Sequence, residues 1–203
     1  MGRWGNRVTG RQKLGRSVGD CGDITMNQKA FQDYYSEELS YCYGCGRLNE
    51  QGLKLKSYWD GEETVALFTP RPYHIAIPGY VYGGLIASII DCHGTGTAAA
   101  ATYHAEGREM GTEPPLRFVT ASLRVEYIRP TPLGVPIEIR GKAKEIKGRK
   151  IVVSVTVSAH GEMCAKGEVI AVQMPEHMMP RNNDCRNITS ESDNKPVTTA
   201  GEP

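Results

Sequence analysis

Residues 78–94 read PGYVYGGLIASIIDCHG, and this stretch decides the fold. The pattern predicts a turn, two glycines and then a helix over about 83–103 with almost no polar surface. A helix that is apolar nearly all round must be covered nearly all round, so we expect it at the centre of the molecule. One carboxylate, Asp91, lies inside this helix. An ionised group there is costly unless another group pairs with it or a reaction uses it.

Segments on both sides of the predicted helix alternate apolar and polar residues, as half-buried strands do. Two strands are expected before the helix, at 53–59 and 64–68, joined by a turn at Asp60-Gly61. Four are expected after it, at 118–127, 137–146, 150–159 and 162–173. Because short turns join antiparallel neighbours, these strands should form one sheet that curls around the helix. The sequence therefore predicts an α+β hotdog fold, a curled antiparallel sheet wrapped around one long buried helix.

The composition limits the classes of function. The chain has 203 residues and a formal net charge of +1, so it has no strong field to hold nucleic acid or an anionic membrane. The most apolar run, 81–101, is interrupted by Asp91 and His93, which makes it a poor membrane span. Since no apolar signal segment is visible, a cytoplasmic protein with reduced thiols is expected. The expected organisation is a disordered leader at 1–25, one domain at 26–175 and a disordered tail at 176–203.

A small and polar stripe runs along the predicted helix. Helical spacing places four residues on one face, namely Gly84, Ser88, Asp91 and Thr95. This stripe is either a seam for close packing or the floor of an active site, and the spacing alone does not choose between them. The paired glycines favour a site, because backbone N–H groups at a helix start have no partner within the helix and glycine lets a ligand approach them.

Cysteine and histidine residues near the stripe are assigned ordinary structural roles. Cys92 and His93 are adjacent to Asp91 in sequence but point away from its face, so we expect a small buried side chain and a hydrogen-bonded interior histidine. Cys42 and Cys45 have the spacing of half a zinc site or of a redox pair. Because no second close pair of ligands is visible, the sequence predicts a turn with two free thiols, no metal and no other cofactor.

Three segments resemble one family. The segment YVYGGLIASIID at 80–91 resembles the helix motif of hotdog-fold acyl-CoA thioesterases of the phenylacetate-pathway type. The segment CYGCG at 42–46, with Gly52-Leu53, is similar to the family's N-terminal entry. VTASL at 119–123, followed by YIRP at 127–130, is similar to its next strand. The resemblance covers about 41–172 and implies hydrolysis of an acyl-CoA to a carboxylic acid and CoA, so that coenzyme A enters only as part of the substrate.

The resemblance also implies roles for individual residues. Asp91 would be the general base or nucleophile, and Gly83 and Gly84 would supply backbone N–H groups to the oxyanion. Thr120, arriving from the partner subunit, would orient the attacking water. Tyr82 stands where the family usually has histidine, and a phenol can donate a hydrogen bond but is no base near neutral pH.

Five further residues are candidates for substrate binding. Ser88 lies on the polar stripe, and His74 and Tyr80 are expected near the pocket mouth. Arg129 and Arg149 are candidates to bind the phosphates of coenzyme A. A hotdog subunit covers its helix fully only against a second subunit, so we expect a homodimer or a homotetramer with sites between subunits. Other functions stay open at this point: a non-catalytic acyl-CoA binding module, a hotdog hydratase or dehydratase, and an assembly domain.

Overall fold

The computed structural model describes residues 28–178. The predicted leader at 1–25 and all but the first residues of the predicted tail lie outside this range. The described range contains eight strands and one α-helix, and their bounds in chain order are β1 Tyr58–Asp60, β2 Glu63–Phe68, β3 Ile75–Ile77, β4 Tyr80–Val81, α1 Gly83–Ala105, β5 Phe118–Tyr127, β6 Ile137–Lys147, β7 Lys150–Ala159 and β8 Glu162–Gln173. Six of these strands form one antiparallel sheet in the order β1-β2-β6-β7-β8-β5. The hotdog arrangement predicted from the sequence is confirmed.

Helix α1 packs against β5, β6, β7 and β8 and forms the centre of the core. Ile89 and Ile90 are completely buried. The helix comes close to β8 at Gly94, where a Cβ atom would lie only 2.5 Å from a methyl carbon of Val169. The second glycine-dependent approach is at Gly167, where a Cβ atom would lie 2.5 Å from Ile90. These two glycines let the helix and the sheet approach more closely than any larger side chain would allow.

Strand β5 contains a bulge that decides which way its side chains point. Thr120 pairs with Ala171, whereas Ser122 pairs with Ile170, so Ala121 has no opposite residue on β8. A bulge of this kind shifts the alternation of side chains by one position. The shift places Thr120 on the same side of the sheet as Phe118 and Leu123, facing α1. In a regular strand that kept Leu123 inward, Ala121 would face the helix instead.

The strand predicted at 53–59 is shorter than expected. Strand β1 begins only at Tyr58. Lys54 has a φ of 55°, outside the range of an extended strand. The backbone on either side instead pairs with the cysteine turn, through Leu53 N–H to Tyr43 O at 2.8 Å and Leu55 N–H to Gly44 O at 3.0 Å. These two backbone hydrogen bonds fix the turn at residues 42–46 to the body of the domain.

The approach to the helix contains a small hairpin that the sequence did not predict. Strands β3 and β4 pair over Ile75 and Val81, and the next residue, Tyr82, precedes the first turn of α1. Tyr82 N–H donates to His74 O at 2.8 Å, so the hairpin sets the entry angle of the helix. No helix within residues 28–178 is long and apolar enough to cross a membrane.

Candidate functional site

Asp91 and Thr120 form the centre of the candidate site. The Thr120 hydroxyl donates a hydrogen bond to Oδ1 of Asp91 within the same chain. The bulge in β5 makes this contact possible, since it turns Thr120 toward α1. The resemblance implied that Thr120 would arrive from a partner subunit, whereas here Thr120 contacts Asp91 of its own chain. One carboxylate oxygen of Asp91 is held by the threonine, and the other is left to accept a proton.

The Asp91 carboxylate is half-buried and lines a cavity of about 250 Å³. Burial raises the pKa of Asp91 above its ordinary value, and the hydrogen bond from Thr120 opposes that shift. The Thr95 hydroxyl donates to the backbone oxygen of Asp91 at 3.1 Å, so this member of the polar stripe supports the helix beside the carboxylate. The other residues around the cavity come from three parts of the fold, and they are Tyr35, Cys42, Cys45, Cys92, Ala99, Arg117, Phe118 and Val119.

The start of α1 carries free backbone donors. The N–H groups of Leu85 and Ile86 bond to Tyr82 O at 3.0 and 3.4 Å, which closes the first turn. The N–H groups of Gly83 and Gly84 have no acceptor among residues 28–178. Unpaired amides at a helix N-terminus carry a partial positive charge, and this charge favours an anion or a developing oxyanion.

Two tyrosines surround this helix start. The hydroxyl of Tyr127 donates to Gly83 O at 2.8 Å, and the Tyr127 ring lies 3.5 Å from where a Gly83 Cβ would be. The Tyr82 ring lies over Gly84, because a Cβ atom there would be 2.3 Å from its Cε1 and 2.7 Å from its hydroxyl. Tyr82 is 59% exposed. Its hydroxyl is thus beside the free amides, in a position to donate a hydrogen bond to a group bound there.

A second cavity of about 530 Å³ lies at the helix start. It contains four of the predicted site residues, namely His74, Tyr82, Gly84 and Ser88. His74 Nδ1 accepts the Arg71 N–H at 3.0 Å. Burial lowers the pKa of His74, and the Arg71 charge adds to the effect. The Ser88 hydroxyl donates to Gly84 O at 2.9 Å, so it contributes to the cavity wall while its proton is held by the helix.

Within one chain the base and the free amides are separated. Gly84 and Asp91 are seven residues apart, and a rise of 1.5 Å per residue places them about 10 Å apart along α1. They also line different cavities. A single thioester carbonyl requires a donor and an attacking atom within about 3 Å of its oxygen and carbon. One chain therefore presents two half-sites rather than one complete site.

His93 points away from the Asp91 cavity and is a hydrogen-bonded interior histidine, and Cys92 is buried, as the sequence predicts. His93 is fully buried, with Nδ1 2.9 Å from Ser57 Oγ and Nε2 3.1 Å from Thr64 Oγ1. Burial lowers the pKa of His93 to about 4, so the ring is neutral near pH 7. A hydratase or dehydratase that pairs an Asp with a His in one site finds no support in this geometry.

Three of the predicted substrate-binding residues lie outside both cavities. Tyr80 is 41% exposed in β4. Arg129 forms an exposed ion pair with Glu162. Arg149 donates to Gln173 O at 2.5 Å and closes the end of the β7–β8 ladder. Their proposed roles toward coenzyme A remain predictions.

The sequence did not predict the roles of three groups near Asp91. The guanidinium of Arg117 lies 3.7 Å from the Tyr35 ring centre and donates to Leu39 O at 2.9 Å, so a half-buried cation–π pair lines the Asp91 cavity. The third unexpected group is the thiol of Cys92, whose Sγ lies 3.6 Å from that of Cys42. No periodicity in the sequence indicates Arg117 or Tyr35. The spacing of Cys42 and Cys45 was visible in the sequence, but nothing in the sequence connected this pair with Cys92.

Comparisons with known proteins identify the family of this fold and site. A family model described as the thioesterase superfamily matches residues 78–166. Acyl-coenzyme A thioesterase THEM4 of Xenopus laevis is 35% identical over 108 residues, covering 53% of this chain and 43% of the frog protein. The Mus musculus protein of the same name is 29% identical over 175 residues, covering 84% of this chain and 69% of the mouse protein. This chain thus spans less than half of the frog relative.

A solved structure extends the comparison along the whole domain. The crystal structure of a thioesterase superfamily protein from Shewanella loihica is 48% identical, with a TM-score of 0.53. The match covers 70% of this chain and 100% of the Shewanella chain. Nearly half of the aligned residues are thus shared with a superfamily member along its full length, and the family model spans the whole of α1. The chain therefore belongs to the thioesterase superfamily.

Proposed function

We propose that this protein hydrolyses acyl-CoA thioesters to a carboxylic acid and CoA, in sites that two copies of the chain build together. The observation that carries the proposal is the Asp91 carboxylate held by Thr120 at the wall of a cavity. The names of the curated relatives, acyl-coenzyme A thioesterases, supply the substrate class. The narrower likeness to phenylacetate-pathway enzymes and a cytoplasmic location stay predictions.

The geometry favours Asp91 as a general base. Its free oxygen accepts a proton from water, and the water oxygen attacks the thioester carbonyl. The Thr120 hydroxyl donates its hydrogen bond to Asp91, so the Thr120 oxygen can still accept a hydrogen bond from the attacking water. This second hydrogen bond would fix the direction of the water. The carbonyl oxygen becomes an oxyanion, which collapses as the C–S bond breaks. CoA leaves as a thiolate that takes up the proton held by Asp91, and the carboxylate is restored. The reaction uses only water and needs no cofactor.

Gly83 and Gly84 are proposed as the donors to this oxyanion. Each positioned amide is worth about 3–4 kcal/mol of transition-state stabilisation. Because these amides lie about 10 Å along the helix from Asp91 of the same chain, those that meet an Asp91-bound substrate would come from a second copy. The active form would then be a homodimer, or a tetramer built from such dimers.

The free edge of β5 is the surface proposed for this pairing. Within residues 28–178 it bonds to β8 on one side only. Apolar side chains along and just after it are partly exposed, at 37% for Val119, 37% for Leu123 and 43% for Ile128. An edge strand with exposed apolar residues is a ready surface for association. Thr120 is on the same strand, so pairing here would bring a second chain next to Asp91.

A free-thiol release assay over a panel of acyl-CoAs tests the proposal. Asp91→Asn should lower kcat by about 10²–10⁴-fold while the variant keeps the parent's oligomeric state. Glu62→Gln is the matched control, since it removes an exposed carboxylate that pairs with Lys142 beside the opposite edge of the sheet from β5 and should leave the rate unchanged. Full activity in Asp91→Asn would remove Asp91 from the mechanism. A single turnover in ¹⁸O water separates a base, which puts the label in the product acid, from a nucleophile, which puts it in Asp91.

A second candidate function is binding of acyl-CoA without turnover. The observation that favours it is the Tyr82 ring on Gly84, where the family usually has histidine. Isothermal titration with a non-hydrolysable acyl-CoA analogue would then give binding, while no free thiol appears from any substrate in the panel. If Tyr82 positions the carbonyl by donating a hydrogen bond, Tyr82→Phe should reduce release in an active enzyme, and Tyr82→His should retain it.

A further inference from the structure

Three thiols meet behind the candidate base. Cys42 and Cys45 lie on the turn that precedes β1, and Cys92 lies on α1 next to Asp91. Their three sulfur atoms all lie within 4.8 Å of one another. Cys45 and Cys92 are buried and Cys42 is half-buried. The cluster thus joins a turn and a helix that are about fifty residues apart in the sequence.

The spacing of the sulfurs suits a tetrahedral metal ion. With Zn–S bonds of about 2.3 Å and tetrahedral angles, two ligand sulfurs are about 3.8 Å apart. The Cys42 and Cys92 sulfurs are 3.6 Å apart in the structure. A disulfide would instead require them to approach to about 2.05 Å. Zinc would therefore need little movement of either element, whereas a disulfide would need a shift of about 1.5 Å.

Backbone hydrogen bonds hold the turn that carries two of the thiols. Gly46 N–H closes the turn on Cys42 O at 2.8 Å, and the turn is fixed to the body of the domain where Leu55 N–H donates to Gly44 O at 3.0 Å. The Cys42 sulfur is thereby held 3.6 Å from the Cys92 sulfur. The positions of these ligand atoms are therefore set by the fold.

Glycine is required at two of the three other positions of the turn, which are Gly44 and Gly46. A Cβ atom at Gly44 would lie 2.2 Å from Cys92 Sγ, and one at Gly46 would lie 2.4 Å from Ser40 O and 2.5 Å from Cys42 N. The absence of a side chain at Gly44 therefore lets the turn reach the helix thiol, and its absence at Gly46 lets the turn close on itself. This close approach brings the thiols of the turn and of the helix together.

We propose that Cys42, Cys45 and Cys92 bind one Zn²⁺ ion, with its fourth position open to the cavity that contains Asp91. Binding releases the three thiol protons, and the ion crosslinks the turn at 42–46 to α1. A water molecule or another small donor takes the fourth position, as in zinc sites with three protein ligands. Arg117 lines the same cavity and offsets the negative charge of three thiolates. The proposal is independent of thioester hydrolysis, and it departs from the sequence-based expectation of two free thiols.

Metal content of the full chain tests the proposal. The reduced, metal-free protein is incubated with ZnCl₂ under nitrogen, freed of excess ion and analysed for zinc by mass spectrometry. We expect about one zinc per chain, with three sulfur neighbours at about 2.3 Å in X-ray absorption. Cys42→Ser and Cys92→Ser should lose most of this zinc. Cys164→Ser is the matched control, because it removes a buried thiol of β8 outside the cluster and should keep the full content.

Two further measurements keep the test decisive if a variant folds poorly. Cobalt(II) added to the parent should give the intense near-ultraviolet band of sulfur-to-cobalt charge transfer, and zinc should abolish it by displacement. Replacing Cys21 and Cys185, which lie outside the described residues, by serine should leave zinc content unchanged. The proposal is overturned if the folded, reduced parent takes up no zinc, if Cys42→Ser keeps all of it, or if intact mass shows a Cys42–Cys45 disulfide that forms in the presence of zinc.

Discussion

Replacing Gly94 by alanine tests how tightly α1 is packed against the sheet. The added Cβ would lie 2.5 Å from Val169 Cγ2 and 2.9 Å from Val169 Cβ, well inside contact distance. Val169 is fully buried on β8 and has a stiff β-branched side chain, so neither partner can move away easily. Overpacking of this kind costs about 1–3 kcal/mol. We expect a cost near the upper end of that range, about 3 kcal/mol, because the added Cβ would lie so close to a stiff side chain. Alanine returns about 1 kcal/mol through its higher helix propensity, so the expected net loss is about 2 kcal/mol.

Gly96→Ala provides the matched control in the same helix. There the nearest atom to the added Cβ, Nε2 of Gln32, would be 3.5 Å away, an ordinary van der Waals distance. The helix propensity gain should therefore remain, and we expect stabilisation of up to about 1 kcal/mol. The two glycine-to-alanine changes should thus shift stability in opposite directions, by about 3 kcal/mol relative to each other.

Urea unfolding followed by circular dichroism measures both effects, with every variant at the same protein concentration because association adds to apparent stability. Val169→Ala in the Gly94→Ala background should relieve the clash, so the two changes together should cost less than the sum of each alone. If Gly94→Ala unfolds at the parent's urea midpoint, the close packing of α1 on β8 described above is wrong.

Three other changes test the site and its support. Thr120→Val should reduce thiol release by tenfold or more without changing the fold, since it removes the hydrogen bond to the base. Thr120→Ser keeps the hydroxyl and should keep most of the rate. Equal rates in both variants would contradict the role given to the hydroxyl. Thr64→Val should lower the free energy of unfolding by about 1–3 kcal/mol, because it leaves Nε2 of buried His93 without its partner, and an unchanged urea midpoint would argue against that contact. Tyr127→Phe should cost about 0.5–1.5 kcal/mol by removing the hydrogen bond to Gly83 O, and a larger loss would indicate a further role for the phenol.

The elements with a regular hydrophobic period could be predicted from the sequence. The apolar run around Asp91 predicted α1, and the alternation at 118–173 predicted four strands whose bounds agree with the structure within a residue or so. Both signals report burial, which repeats along an element. The alternation at 53–59 was misleading, because Leu55 and Ser57 are buried by a chain that turns at Lys54 rather than by a strand.

The candidate site was only partly predictable. Asp91 and the paired glycines could be identified, since helical spacing and glycine chemistry are local properties. The contact between Thr120 and Asp91 within one chain depends on the bulge at Ala121, which has no clear signature in the sequence. Cys92 was set aside because it is next to Asp91 and points off its face, yet that direction is the one that brings it to Cys42. Contacts between distant segments depend on where the sheet curls. The periodicity of the sequence does not predict the positions of these curls.

The bulge in β5 also bears on how the gene can change in length. Losing one codon from the middle of a paired strand normally reverses the facing of every side chain on one side of the gap. Here Ala121 has no opposite residue, so β5 has one extra, unpaired residue next to the base. An in-frame loss of codon 121 would restore even pairing and leave Thr120 still turned toward α1. Loss of a second codon from β5 would reverse the alternation of side chains, because no unpaired residue would remain. Another side chain could then replace the Thr120 hydroxyl beside Asp91.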